Sequence, residues 1–136
     1  MTLATTLRIA AACLLDDTGR LLLVRKRGTQ AFMLPGGKHE PGETSIQALL
    51  RELGEELDLH LSPSALIPLG QFQAEAANEP GMRVNAQVFV AALPHTVHPA
   101  AELEELAWLA PAGDYPQNLA PLLREQVLPA LLAHLS

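Results

Sequence analysis

The stretch from Gly36 to Leu59, GGKHEPGETSIQALLRELGEELDL, constrains the fold more than any other part of the chain. Its leading portion, LPGGKHEPGE (34–43), holds two prolines and three glycines and reads as a loop. The next residues, 44–57, read as a helix. Thr44 suits the N-cap and Gln47 can reach back to it, the pattern of a capping box. Each residue turns an ideal helix by about 100°, so with Glu52 at the origin Glu55 lies near −60° and Glu56 near +40°. Ile46, Leu49, Leu50, Leu53 and Leu57 fall at roughly 60–160°, on another stripe. One helix therefore lays leucines on a core and presents three carboxylates to something else. Ala48 falls on the carboxylate side one turn earlier and, being small, leaves room there.

The leucine stripe needs a partner layer, and the rest of the chain supplies strands. Residues 7–15 and 20–26 read as a hairpin around the DDTG turn at 16–19. Residues 65–75 and 83–93 read as two more strands. In the second, Val84, Ala86, Val88 and Val90 alternate with Asn85, Gln87 and Phe89. Residues 104–109 suit a short strand. Residues 119–135 carry leucines and Val127 at helical spacing, and Pro129 should kink or split that helix. Irregular mixing of strands and helices predicts an α+β fold, a mixed β-sheet between helices.

At 136 residues, with 49% apolar composition, the chain is expected to form one domain, 1–136, with a real core. No apolar run is long enough to span a bilayer, and the N-terminus lacks the charged region of a signal peptide. Cys13 is alone in an apolar run, which excludes an internal disulfide and favours a buried, inert thiol. These features together point to the cytoplasm. The net charge of −6 argues against nucleic-acid polymers as partners, though a small anionic substrate remains compatible if metal ions mediate the contact.

Six acidic side chains fall in those 24 residues, offset by Lys38, Arg51 and a histidine. Like charges at helical spacing repel. Hard divalent cations relieve that repulsion, and carboxylate oxygens suit Mg²⁺ or Mn²⁺. A solvated acidic helix face is the plainer alternative. The preceding loop favours the cations, because Gly36 and Gly37 let the backbone approach a ligand closely.

The arrangement resembles the Nudix hydrolase signature, G-x5-E-x7-R-E-U-x-E-E-x-G-U with U aliphatic. Gly37, Glu43, Arg51, Glu52, Leu53, Glu55, Glu56 and Leu59 match, so eight of its nine fixed positions agree over 23 residues. Asp58 stands where the family has glycine. That glycine ends the helix in a left-handed conformation, and Asp tolerates that region better than most residues. The resemblance implies a Nudix-like α/β/α sandwich and a divalent-metal-dependent pyrophosphohydrolase, MutT-like, acting on phosphoric anhydride bonds of nucleoside diphosphate derivatives. It implies metal binding and catalysis by Glu52, Glu55 and Glu56, one of them a base toward water, with the carbonyl of Gly36 as a further ligand. It gives Gly37, Glu43 and Arg51 structural roles, the last two pairing to brace the loop.

Substrate contacts are expected from Lys38, from Arg25 or Lys26, from Phe32 stacking on a base, and from Asn85 or Asn78 at a base edge. Each has a plainer reading: a loop lysine, a solvent-facing strand end, a core aromatic, a strand or turn residue. Glu75 and Glu102 head the acids that could add a metal ligand outside the signature. Trp108 suits core or rim packing, and the histidines form no ligand spacing. Sub-family signatures for ADP-ribose, dinucleoside polyphosphates, coenzyme A and NADH are absent, which leaves the mutator-type branch and nucleoside triphosphates, oxidised ones included. The protein is expected to be a monomer or homodimer. A non-catalytic Nudix-like module that binds a nucleotide or partner is the rival reading, and such a module would be expected to have lost signature carboxylates.

Overall fold

The structure, a computed structural model, describes residues 5–77 and 79–136. Asn78, and the first four residues of the N-terminal stretch, lie outside the described residues.

Strand β1 (Thr5–Leu15) is the organising element. Its alternate residues enter two different cores. Ala10, Ala12 and Leu14 join one cluster, and Ala11 and Cys13 join the other. This is why the run reads as continuously apolar rather than alternating: a strand buried on both faces has no polar side. Strand β2 (Leu21–Lys26) follows the turn and repeats the pattern, with Leu22 and Val24 on one side and Leu21 and Leu23 on the other. Cys13 is buried, and burial pushes its thiol pKa up to about 12, which keeps it protonated and inert.

The 34–43 segment, expected to be loop throughout, contains the short strand β3 (Gly36–Lys38), which pairs antiparallel with Ile9, Ala10 and Ala11 of β1. Gly36 sits at φ 142°, and a Cβ there would lie 2.1 Å from the Ala10 carbonyl oxygen. Glycine alone permits that approach. Helix α1 (Ser45–Leu57) begins as expected. The Thr44 side chain accepts from the Gln47 N–H and the Gln47 side chain accepts from the Thr44 N–H. Asp58 ends the helix at φ 50°, ψ 38°, its N–H turned back to the Gly54 and Leu53 carbonyls, so Asp does serve as the left-handed cap.

Strands β4 (Ile67–Glu75) and β5 (Met82–Ala92) form an antiparallel pair, and β6 (Leu103–Leu109) pairs with β2. The sheet order is β4-β5-β1-β2-β6, with β3 also on β1. The β1–β5 pairing is parallel over its whole length, from Thr5↔Met82 to Leu15↔Ala92. Ala48, Leu49, Leu53 and Leu57 of α1 cover one face of the sheet. Leu123, Val127, Leu128 and Leu131 cover the other. The architecture is thus the expected α+β sandwich.

Three local expectations need correction. Ala48 is fully buried in the core beneath α1 and opens no space beside the carboxylates. Phe89 is not on an open face: it is 4% exposed and packs with α1, because that face of β5 is covered too. The 119–135 helix starts later than expected, although it divides near Pro129 as expected: Leu122–Val127 is π-helical, and α2 (Leu128–Leu135) is α-helical with Pro129 in its first turn, where a missing N–H costs least. Trp108 is 39% exposed and carries the Arg20 guanidinium 5.4 Å from its ring centre, a rim residue. Among the described residues no helix is long and apolar enough to cross a membrane.

Candidate active site

The carboxylate stripe of α1 does not face open solvent. Because α1 lies against β3 and the sheet, its three acids meet three different environments. Glu56 is 5% exposed, the one buried charged or polar residue among those described. Its Oε1 accepts from the Gly36 N–H at 3.1 Å. Glu52 is partly buried and lies against Gly37, where an added Cβ would come within 2.5 Å of its carboxyl carbon. Glu55 is half exposed and is held by the Arg51 guanidinium at 3.3 Å. The tight β3–β1 pairing thus places the two glycines directly over the two inner acids.

Burial, first of all, pushes the Glu56 carboxyl pKa up to about 8; the Glu52 and Glu102 charges add to the rise, while the Gly36 N–H and Lys26 oppose it. Burial also raises Glu52, against the pull of Arg51. Neighbouring acids that the fold forces toward neutrality are costly to ionise together. The donor set is all oxygen, so it fits a hard dication such as Mg²⁺ or Mn²⁺, which would relieve that cost. No group of three or more His, Cys, Asp or Glu side chains converges at metal-binding distance among the described residues; the Arg51 Nη1 sits between Glu52 and Glu55, donating to both.

Arg51 ties the segment together. Its Nε and Nη2 donate to both oxygens of Glu43 at 2.8 and 2.9 Å, Nη1 donates to Glu52 at 3.0 Å, and Nη2 also reaches the Lys38 carbonyl at 3.0 Å. Hydrogen bonds from Arg51 hold Glu43 down at a pKa of about 2, and the same contacts hold the guanidinium above its usual range. One side chain on α1 therefore clamps the loop end, the strand β3 and an inner acid.

Beside these acids opens a cleft of about 390 Å³. Leu7, Ile9, Ala11 and Val84 contribute sheet side chains to it, and Leu122 and Leu123 come from the π-helical turn. Gly36, Gly37, Lys26, Lys38 and Glu52 join it to the acid cluster. Glu75 and Glu102 also line it, with Lys26 Nζ 4.0 Å from Glu102. Lys38 Nζ lies 3.7 Å from Glu79.

The other sequence candidates are placed elsewhere. Arg25 is engaged by Glu105 at 2.7 Å and by the Thr29 carbonyl at 2.8 Å, so Lys26 is the member of that pair on the cleft. Phe32 packs partly buried against the core cluster, and its neighbour Met33 lines the cleft instead. Asn85 is opposite Arg8 in register, on the α1 side of the sheet, whereas Ile9 and Val84 of the cleft lie on the other; it accepts from Gln71 at 2.9 Å. A one-residue step along a strand reverses the face, which decides the matter. Leu122 and Leu123 are legible in the sequence only as apolar residues at helical spacing, a signal that does not separate cleft lining from core.

A family model described as NUDIX domain matches residues 5–129. Over 121 residues the chain is 28% identical to a Bacillus subtilis (strain 168) protein provisionally described as an 8-oxo-dGTP diphosphatase, covering 87% of this chain and 75% of that one. It is 36% identical over 62 residues to the human 8-oxo-dGDP phosphatase NUDT18, covering 43% of this chain; that match spans only 19% of the human protein's length. Among solved structures, a MutT protein from Methanosarcina mazei Go1 superposes with a TM-score of 0.79 at 20% identity, covering 100% of both chains, a likeness of fold.

Proposed function

Given that the chain belongs to the NUDIX family, we propose that it is a pyrophosphohydrolase that hydrolyses a phosphoric anhydride bond of a nucleoside diphosphate-linked substrate, with Mg²⁺ or Mn²⁺ as cofactor. The observation that carries the reading is the buried Glu56 carboxyl beside Glu52, both raised in pKa, with Glu52 lining a cleft that also presents Lys26 and Lys38. A purely structural helix would gain nothing from such burial.

When bound, the metal neutralises phosphate charge and lowers the pKa of a water. Glu52, Glu55, Glu56 and the Gly36 carbonyl would hold it, with Glu55 released from Arg51 to take part. One of the three carboxylates receives the proton of the attacking water. Lys26 and Lys38 face phosphate oxygens, and the Glu43–Arg51 bracket keeps Gly36 and Gly37 in register over the acids. The apolar cleft then takes the base of the nucleotide, which keeps its ester phosphate when the anhydride bond breaks. Nucleoside triphosphates and oxidised nucleotides are the proposed substrates, in keeping with the names of the relatives above. The proposed unit is one hydrolase domain over 1–136, acting in the cytoplasm on small nucleotides.

The test is turnover with Mg²⁺ on dGTP, 8-oxo-dGTP, ADP-ribose and a dinucleoside polyphosphate, with Glu56→Gln as the control. Metal-dependent phosphate or pyrophosphate release that the control lacks supports the reading. No release from any substrate would favour the non-catalytic binding module.

A further inference from the structure

The geometry points to the π-helical turn Leu122–Val127 as the element that sets which bases the cleft accepts, with Pro129 as its positioning residue. The inference rests on the reading of the cleft given above and deepens it.

The turn is closed by the Leu128 N–H donating to the Leu123 carbonyl, five residues back. Pro129 follows immediately. Proline has no N–H to give and its ring collides with the carbonyl four residues earlier, here Glu125, so a regular α-helix cannot run through this point unchanged. A wide turn just before the proline, followed by a fresh α-helix, is one way for the chain to continue. The consequence is rotational. One extra residue in a turn shifts the preceding side chains by about 100° relative to a continuous α-helix. Buried side chains occur here five apart, Leu122 with Val127 and Leu123 with Leu128, as well as four apart, Leu123 with Val127, a spacing that the wide turn accommodates.

Upstream the chain is fixed independently. The Phe32 N–H donates to the Asn118 carbonyl and the Ala120 N–H donates to the Phe32 carbonyl, both at 2.8 Å. Leu122 and Leu123 are therefore held between a strand-like bridge on one side and the π turn on the other, and both line the cleft. Pro129 itself does not line it. A change at Pro129 would reach the substrate only by re-phasing those two leucines.

The experiment compares wild type, Pro129→Ala and Leu122→Ala. Binding is read by calorimetry with αβ-methylene analogues of dGTP, 8-oxo-dGTP and dCTP, and turnover by KM and kcat on the parent nucleotides. Pro129→Ala introduces a backbone amide at position 129, and that amide is followed by hydrogen exchange. The expected result is a protected amide, a change of about tenfold in the purine-to-pyrimidine Kd and KM ratios, and kcat held within about twofold because the acids of α1 are untouched. Leu122→Ala, which enlarges the wall directly, should shift the same ratios. A protected amide with unchanged ratios would overturn the role of the turn in selection. An unprotected amide with unchanged ratios would overturn the role of Pro129 in holding the turn. Absence of turnover in the wild type would count against the hydrolase reading alone, since the binding ratios still report on the wall.

Discussion

Replacing Glu56 by Gln should stabilise the metal-free protein, and by an amount that grows with pH. In the fold the carboxyl pKa stands at about 8 against an ordinary value of 4.5, chiefly through burial. The folded state therefore holds a proton that the unfolded state releases. A raised folded pKa gives its full stabilisation below about 4.5, and that stabilisation is lost as pH climbs toward 8. A difference of one pKa unit between the folded and unfolded states is worth about 1.4 kcal/mol, so the group alone should cost the metal-free wild type on the order of 2–3 kcal/mol between pH 5 and pH 7. Gln matches the shape, keeps an oxygen for the Gly36 N–H and does not titrate. For a chain of this size the difference is roughly 5–10 °C in Tm. Calorimetric melts of both proteins at pH 5, 6, 7 and 8 with a chelator present should show the gap in favour of Gln widening at every step. Saturating Mg²⁺ should reverse it, because the wild type alone then gains binding energy, and the variant should lose most of its turnover. A Tm difference independent of pH would refute the claim that the carboxyl is buried at the cost stated.

Arg51→Ala should melt earlier than the wild type and lose activity mainly through loss of folded protein, since one guanidinium ties Glu43, Glu52, Glu55 and the Lys38 carbonyl together; a variant with wild-type Tm but no turnover would instead make Arg51 a direct substrate contact. Gly37→Ala should keep its fold and lose activity, because the new methyl meets the movable end of Glu52, whereas Gly36→Ala should cost more than about 2 kcal/mol in chemical denaturation, because its methyl meets the Ala10 backbone at a positive φ. Equal stability of the two alanine variants would contradict this contrast. Asp58→Gly should raise Tm slightly, by up to about 1 kcal/mol of stability, with kcat/KM unchanged, since glycine adopts the φ 50° cap without strain; a lower Tm would show that the exposed Asp58–His60 contact matters more.

What the sequence determined by itself was local. The Thr44–Gln47 capping box, the leucine stripe and the break near Pro129 each depend on residues within a turn or two of one another, and backbone sterics and periodicity suffice to read them; the left-handed Asp58 is expected from the glycine that the Nudix signature has at its position. The adjacency of Glu52, Glu55 and Glu56 along one helix was equally legible. Their separate fates were not. A helical wheel says that three acids share a stripe; it does not say that β3 will lie over two of them and leave Glu55 to Arg51. That depends on Gly36–Lys38 pairing with Ile9–Ala11, a contact between residues far apart in the chain whose own composition reads as loop. The same holds for Lys26 rather than Arg25 on the cleft, and for Asn85 behind the sheet. Alternation along a strand distinguishes two faces, but only the parallel β1–β5 pairing and the helices packed on each side decide which face borders the cleft. Burial of Glu56, and with it the proton affinity that marks the site, comes from tertiary packing alone, because desolvation is caused by whatever lies on top of a side chain and not by its neighbours in sequence.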